Sequence, residues 1–240
     1  AVPIERASIV LTTDVSGSMT STDVKPNRLV AAKRAARQFL DTVPARVNVG
    51  LVSFNQTSRV LQSPTTDRQE VVGALDSMNP TGGTATGEAI YASMRTFDRR
   101  ADLAGHRPPA AIVLLSDGAS TSGRNAIAAA GEAKRQGIPI YTVTLGTPGG
   151  TITVPTPGGG SAIRPVPPDP RSLAQIASAS GGRAFTAGSA TGLEEVYKRL
   201  GSQLSHRDEK RQVTAAFAGG GLVLLLAAAG MSLRWFGRLI

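Results

Sequence analysis

ASIVLTTDVSGSM, residues 7–19, runs from an apolar, β-branched stretch straight into a polar loop. Ala7 to Thr13 reads as a buried parallel strand, because apolar and β-branched side chains occupy both faces rather than alternating. The loop that follows sets Asp14, Ser16 and Ser18 at alternate positions, where they can converge, and Gly17 permits a sharp turn. The strand therefore ends in oxygen-bearing side chains. In open α/β sheets, ligand sites lie at the carboxyl ends of strands.

Outward from this stretch, strands alternate with helices. Arg28 to Val43 carries Leu29, Ala32, Ala36, Phe39 and Leu40 on one helical stripe, closed by Pro44. Val47 to Phe54 is a second strand, with Ser58 to Leu61 as an edge partner. Asp67 to Met78 is a short helix with Asp67 as its N-cap, and Thr86 to Ala101 is another. Ala110 to Leu115 is a strongly apolar central strand. Arg124 to Gln136 is an Ala-rich helix ended by Gly137 and Pro139, and Ile138 to Leu145 is the next strand. Pro170 to Ser180 and Gly192 to Leu204 are the last two helices, with Arg183 to Thr186 a short strand between them. The alternation predicts one doubly wound, Rossmann-like α/β domain over residues 1–205, with a mostly parallel sheet. Residues 146–170 form a Gly/Pro-rich insertion that predicts a hairpin: Thr151 to Val154 alternates, and the glycines at 158–160 turn.

The chain has 240 residues, with 26 Lys+Arg against 17 Asp+Glu, two His and no Cys. At 41% hydrophobic it can build a sizeable core, which excludes whole-chain disorder. The absence of Cys excludes a disulfide scaffold, a thiolate zinc site, a Cys nucleophile and an iron–sulfur cluster. A Ser-His-Asp triad would need His106 or His206, and His206 sits in a charged run. The formal net charge of +9 raises nucleic acid or anionic lipid as partners. Aromatics make up only 4%, and no basic-aromatic stacking motif appears, so nucleic acid is set aside.

No charge falls between Gln212 and Leu233, while Arg211 and Arg234 flank the run. Twenty-two helical residues reach about 33 Å, the thickness of a hydrocarbon core. The segment predicts a transmembrane helix over residues 213–236, anchored by Arg234, Trp235 and Phe236, with a charged linker at 206–212 and a tail at 237–240. A buried core helix is the plainer alternative. Ala1 is not a Met, which leaves room for an upstream membrane segment.

Three strand ends or helix entries offer oxygen: Asp14 to Ser18, Gly82-Gly83-Thr84, and Ser116-Asp117-Gly118. Two carboxylates and three hydroxyls, with no nitrogen or sulfur donor, suit Mg²⁺, Mn²⁺ or Ca²⁺ rather than zinc. Two carboxylates roughly neutralise a divalent ion, and hydroxyls are weak ligands, so the ion stays electrophilic with a position open to an outside carboxylate. Each motif alone has a plainer reading. D-x-S-x-S could be a polar turn capping the helix at Arg28, Thr84 or Thr86 an N-cap, and Asp117-Gly118 a strand-exit turn. Gly82 to Gly87 has phosphate-loop spacing, but Glu88-Ala89 replaces the required Lys-Ser/Thr.

With TTDVSGSM at 12–19, GGTATGEAI at 82–90 and LLSDGAST at 114–121, the chain resembles the von Willebrand factor A domain and its metal-ion-dependent adhesion site. The likeness covers roughly residues 5–205. It implies that Ser16, Ser18 and Thr84 contact the ion, and that Asp14 and Asp117 bind it directly or through water, so the five-residue set is complete. The implied ion is Mg²⁺ or Mn²⁺, ahead of Ca²⁺. The insertion, SLAQIASASGGRAFTA at 172–187 and the terminal apolar run are similar to the bacterial membrane-anchored, aerotolerance-type (BatA-like) branch, notably its actinobacterial members. Members of that branch usually carry N-terminal membrane segments and are often encoded beside a MoxR-type AAA+ ATPase. The resemblance thus implies a membrane-anchored, non-enzymatic module whose ion accepts an Asp or Glu from a partner protein, with a MoxR-type system as the associated machinery. Basic residues are denser before the apolar run than after it, which read naively puts the domain in the cytoplasm. That rule is weak for large domains, and the resemblance favours the extracytoplasmic side of the cell membrane. The competing class is a Mg²⁺-dependent hydrolase or phosphoryl-transfer enzyme using Asp14, against which the motifs offer no His, Lys or Cys as base or nucleophile.

Overall fold

A computed structural model describes residues 7–97, 108–118, 120–156 and 158–200. The expected linker 206–212, membrane helix 213–236 and tail 237–240 lie outside the described residues, as do His106 and His206. Among the described residues, no helix is long and apolar enough to cross a membrane.

Strands β1 (Ser8–Asp14), β2 (Asn48–Phe54), β3 (Ser58–Thr65), β4 (Ala110–Ser116), β5 (Ile140–Leu145) and β8 (Ala184–Ala187) form one sheet in the order β3-β2-β1-β4-β5-β8. All neighbours are parallel except the β2–β3 edge pair. The chain first winds outward from β1 to β3, then returns to place β4 on the other side of β1. The crevice between the ends of β1 and β4 is therefore the topological switch point, the place where open α/β sheets hold ligands.

Apolar side chains on both faces of β1, β4 and β5 demand a helical layer on each side. On one face, Val10, Phe54, Ile112 and Ile140 pack with α3 (Thr86–Arg95), α4 (Ala126–Arg135) and α5 (Pro170–Ser180). The small Ala129, Ala130 and Ala133 let α4 approach closely. On the other face lies α1 (Arg28–Thr42), whose Phe39 meets Tyr197 of α6 (190–200) edge to face at 5.6 Å. Asp67 caps α2 (Arg68–Asp76) as expected, its Oδ1 accepting from the amide of Gln69 at 2.8 Å.

Several boundaries differ from expectation. β3 continues past Leu61 to Thr65 and keeps Pro64, which an edge strand tolerates because one row of its backbone groups needs no partner. Its pairing with β2 shifts register around Gly50, whose added Cβ would come within 3.1 Å of Pro64. α3 ends at Arg95 rather than Ala101, and α4 starts at Ala126, where Asn125 accepts from the amide of Ala128. Within the insertion, β6 (Thr151–Pro155) and β7 (Ser161–Pro165) form a separate antiparallel ribbon.

Candidate metal centre

β1 ends at Asp14, whose carboxylate is fully buried. Its Oδ1 accepts from the amide of Ser16 at 2.7 Å, and its Oδ2 accepts from the Ser116 hydroxyl at 2.6 Å. The chain then turns into a short 3-10 helix (Gly17–Thr20), pinned by the buried Met19. In that turn the Ser16 and Ser18 hydroxyls stand 2.9 Å apart. Asp117 follows β4 and is also buried.

Backbone bonds stitch the three loops together. Gly17 N donates to Gly82 O at 2.9 Å, and Thr81 N donates to Val15 O at 2.7 Å. Gly82 holds φ at 75°, a conformation that favours glycine. Thr84 is buried on this second loop and tied to the third, its amide donating to Thr121 Oγ1 at 3.0 Å and its carbonyl accepting from the amide of Thr121 at 2.8 Å. The structure therefore gathers Asp14, Ser16, Ser18 and Asp117 in one cluster. Thr84 stands on the adjoining loop, and no hydrogen bond joins its hydroxyl to the other four.

The plainer readings of these motifs fail in two places. α1 is capped by Asn27, whose Oδ1 accepts from the amide of Val30 at 2.8 Å, so the D-x-S-x-S turn does not cap it. α3 has Ala85 at its N-cap with no side-chain cap, so neither Thr84 nor Thr86 performs that role. The Thr86 amide donates instead to Ser120 Oγ at 3.3 Å, leaving the Thr86 hydroxyl buried without a partner.

The sequence pattern marks Arg28 only as the start of a helix, yet the structure places it in the site. Arg28 is completely buried. Its guanidinium makes a fork to Asp23 at 2.9 and 2.8 Å, reaches Asp117 Oδ2 at 3.1 Å, and donates to the Val166 carbonyl at 2.9 Å. Asp23 Oδ2 also accepts from the amide of Thr147 at 2.7 Å. A cation in the first turn of a helix opposes the helix dipole, so its presence there was a signal that it had another use. Asp23 and Asp117 share this one guanidinium, and Asp14 adds a third carboxylate that feels the Asp117 charge, so the cluster formally holds two negative charges once Arg28 is matched. Asp23 thus cancels Arg28, and the Asp14–Asp117 pair keeps a charge that a divalent ion would balance.

The electrostatics carry that tension. Burial, and then the neighbouring Asp117 charge, push the Asp14 carboxyl up to about 7, against opposing hydrogen bonds from Ser116 and Ser16. Burial also raises Asp117, with Ser18 and Arg28 opposing. Burial alone would raise Asp23 too, but hydrogen bonds from Arg28 and the Thr147 amide overcome it and hold that carboxyl well below the usual range. Two buried carboxylates that repel each other, flanked by hydroxyls, fit a hard divalent cation. Among the described residues, no three His, Cys, Asp or Glu side chains form a metal-sized group, so an ion here would need the Ser and Thr hydroxyls.

Residues 9–119 match the family model of the von Willebrand factor type A domain. A UPF0353 protein from Mycolicibacterium vanbaalenii is 41% identical over 239 residues, a match covering 95% of this chain and 70% of that protein. The conserved hypothetical protein BatB from Bacteroides thetaiotaomicron superposes with a TM-score of 0.71 at 24% identity, covering 85% of this chain and 99% of that one. An aerotolerance-related membrane protein from Bacteroides fragilis superposes with a TM-score of 0.68 at 24% identity, covering 82% and 99%. At such identity the two structures establish the shared fold.

Proposed function

Because the chain belongs to the von Willebrand factor type A family, and within it to the group of the mycobacterial UPF0353 proteins, we propose that it is a metal-dependent protein-binding module. In this reading Asp14, Ser16, Ser18, Thr84 and Asp117 hold one Mg²⁺ or Mn²⁺ ion, and the ion takes an Asp or Glu carboxylate of a partner protein as its remaining ligand. The observation that carries it is the pair of buried carboxylates, Asp14 and Asp117, at the ends of adjacent parallel strands, with two hydroxyls beside them. When bound, the ion would supply a localised positive charge for the incoming carboxylate. The chain's own residues orient that charge: the Ser16 amide and Ser116 hydroxyl fix the Asp14 rotamer, and Arg28 fixes Asp117.

The same cluster favours binding over turnover. Its one cation, Arg28, is saturated by carboxylates and a carbonyl, and a guanidinium does not exchange protons near neutral pH. Asp14 is enclosed by two hydrogen bonds rather than presented as a nucleophile. The apolar run at 213–236 would tether the module to the cell membrane with the domain on the extracytoplasmic side, and a MoxR-type AAA+ ATPase is the partner system implied by resemblance. The B. fragilis neighbour is described as an aerotolerance-related membrane protein, which supports the membrane tether alone.

Calorimetric titration of the full chain with Mg²⁺ tests the reading. One site is expected, lost in both Asp14→Ala and Asp117→Ala, while circular dichroism shows the fold intact. Equal affinity in wild type and both variants would refute it.

A further inference from the structure

A cavity of about 310 Å³ opens beside the metal loop, between the β2–β3 turn and the segment that joins α2 to α3. Val15, Phe54 and Met78 give it an apolar wall, and each is buried. The polar part of its lining includes Asn55, Thr81 and Arg59. No carboxylate lines the cavity, and Arg59 is its one charged group. Among the described residues, Arg59 forms no ion pair and no side-chain hydrogen bond. Asn55 spends its carbonyl oxygen on the amide of Thr57 at 3.0 Å, which leaves its amide nitrogen as a donor. An unpaired guanidinium, a free amide donor and an apolar wall together suit an anionic group on a short apolar stem. An Asp or Glu side chain has that form.

The cavity and the metal loop share a wall. Val15, which lines the cavity, lies between Asp14 and Ser16 in sequence. Its amide donates to Phe54 O at 2.8 Å, and its carbonyl accepts from the amide of Thr81 at 2.7 Å, so both of those bonds run to residues that also line the cavity. A short peptide lying over Val15 can therefore address both places.

We propose that this cavity is a second carboxylate subsite: the partner segment that gives one acidic side chain to the ion places a second, nearby acidic side chain on Arg59. The proposal rests on the metal-dependent binding reading, and the test separates the two. The probes are acetyl-Gly-Asp-Gly-Gly-amide, with one carboxylate, and acetyl-Gly-Asp-Gly-Glu-amide, with two. Each is titrated into the full chain with and without Mg²⁺, followed by calorimetry and by the amide resonances of Asn55 and Thr57. The two-carboxylate peptide is expected to bind at least about tenfold more tightly. Arg59→Gln should bring it down to the level of the one-carboxylate peptide, while Asp14→Ala removes binding of the latter. Arg59 is an exposed edge-strand residue, so its replacement should leave the thermal midpoint in place. Mg²⁺-dependent binding of both peptides that is indifferent to Arg59→Gln would overturn the subsite and leave the metal reading standing. Binding that needs Arg59 but ignores Mg²⁺ would support the subsite and overturn the metal reading. No binding of the two-carboxylate peptide to the wild-type chain would overturn the proposal outright.

Discussion

Arg28 Nη1 lies 3.1 Å from Asp117 Oδ2, a fully buried ion pair formed across 89 residues of sequence. The same guanidinium holds Asp23 and the Val166 carbonyl, so one side chain ties the start of α1, the exit of β4 and the base of the β6–β7 ribbon into a single polar knot. Removing one partner of a buried pair leaves the other charges unmatched in a low-dielectric site. Arg28→Met is therefore expected to cost about 3–5 kcal/mol of stability, read as a lowered urea midpoint. Asp23→Asn combined with Arg28→Met should cost less than the sum of the two single changes, because they remove two ends of one interaction. Additive effects would show that the knot is not a unit.

The knot also needs room. A Cβ added at Gly150 would come 2.3 Å from Arg28 Nη2 and 2.7 Å from Asp23 Oδ2. The guanidinium has no slack, because its nitrogens are already bonded. Gly150→Ala is expected to destabilise the fold by about 1–3 kcal/mol through overpacking. Gly149→Ala, one residue away in open space, serves as the control and should leave the melting temperature within its error.

The parts of this site differ in how far they were legible. The apolar runs of β1, β4 and β5 announce strands buried on both faces, because a partly exposed strand would alternate. The convergence of Asp14, Ser16, Ser18 and Asp117 was legible because their loops follow adjacent parallel strands of one sheet. Arg28 was not, since its two acidic partners lie five and 89 residues away and no local pattern links them. The extent of β3 was obscured by Pro64, which argues against a strand unless the strand is known to be an edge. The plainer reading of Thr84 or Thr86 as the cap of α3 fails for a reason no local pattern shows: Thr121 and Ser120, from a distant loop, accept from the amides of Thr84 and Thr86 themselves.

The Asp14 carboxyl sets an unusual pH response for the metal-free protein. Folding raises it from 3.8 to about 7, so the folded state binds a proton that the unfolded state has released. The resulting penalty is absent at low pH, grows as pH rises through the interval between those values, and is complete above it. The metal-free chain should therefore gain stability as pH falls from 8 to 5. Asp23 has the opposite sign: its contribution is present above the ordinary carboxylate value of 3.8 and is lost as pH falls through that value and below, outside the interval from 8 to 5. Asp14→Asn should raise the metal-free melting temperature at pH 8 and flatten this slope, while removing Mg²⁺ binding. Saturating Mg²⁺ should abolish the slope in the wild type, because the ion binds the deprotonated carboxylates. A wild-type protein that loses stability steadily from pH 8 to pH 5 without metal would contradict the assignment.

The two threonines of the second loop make opposite predictions. Thr86 Oγ1 is buried without a partner, so it already bears the desolvation cost of an unmade hydrogen bond. Replacing it with the isosteric Val removes that cost, and Thr86→Val is expected to be neutral or to stabilise the metal-free fold by about 1 kcal/mol. Thr84 is the threonine that the motif assigns to the ion, and its backbone, not its hydroxyl, makes the bonds that lock the loop to Thr121. Thr84→Val should therefore leave those backbone bonds and the metal-free stability nearly unchanged. It should weaken Mg²⁺ binding by at least about tenfold, equivalent to about 1.4 kcal/mol. Paired thermal melts and calorimetric titrations of the two variants decide between them. If Thr86→Val abolished Mg²⁺ binding and Thr84→Val did not, the ion would be held at the first residue of α3, two residues beyond Thr84, with the orphaned hydroxyl as its ligand.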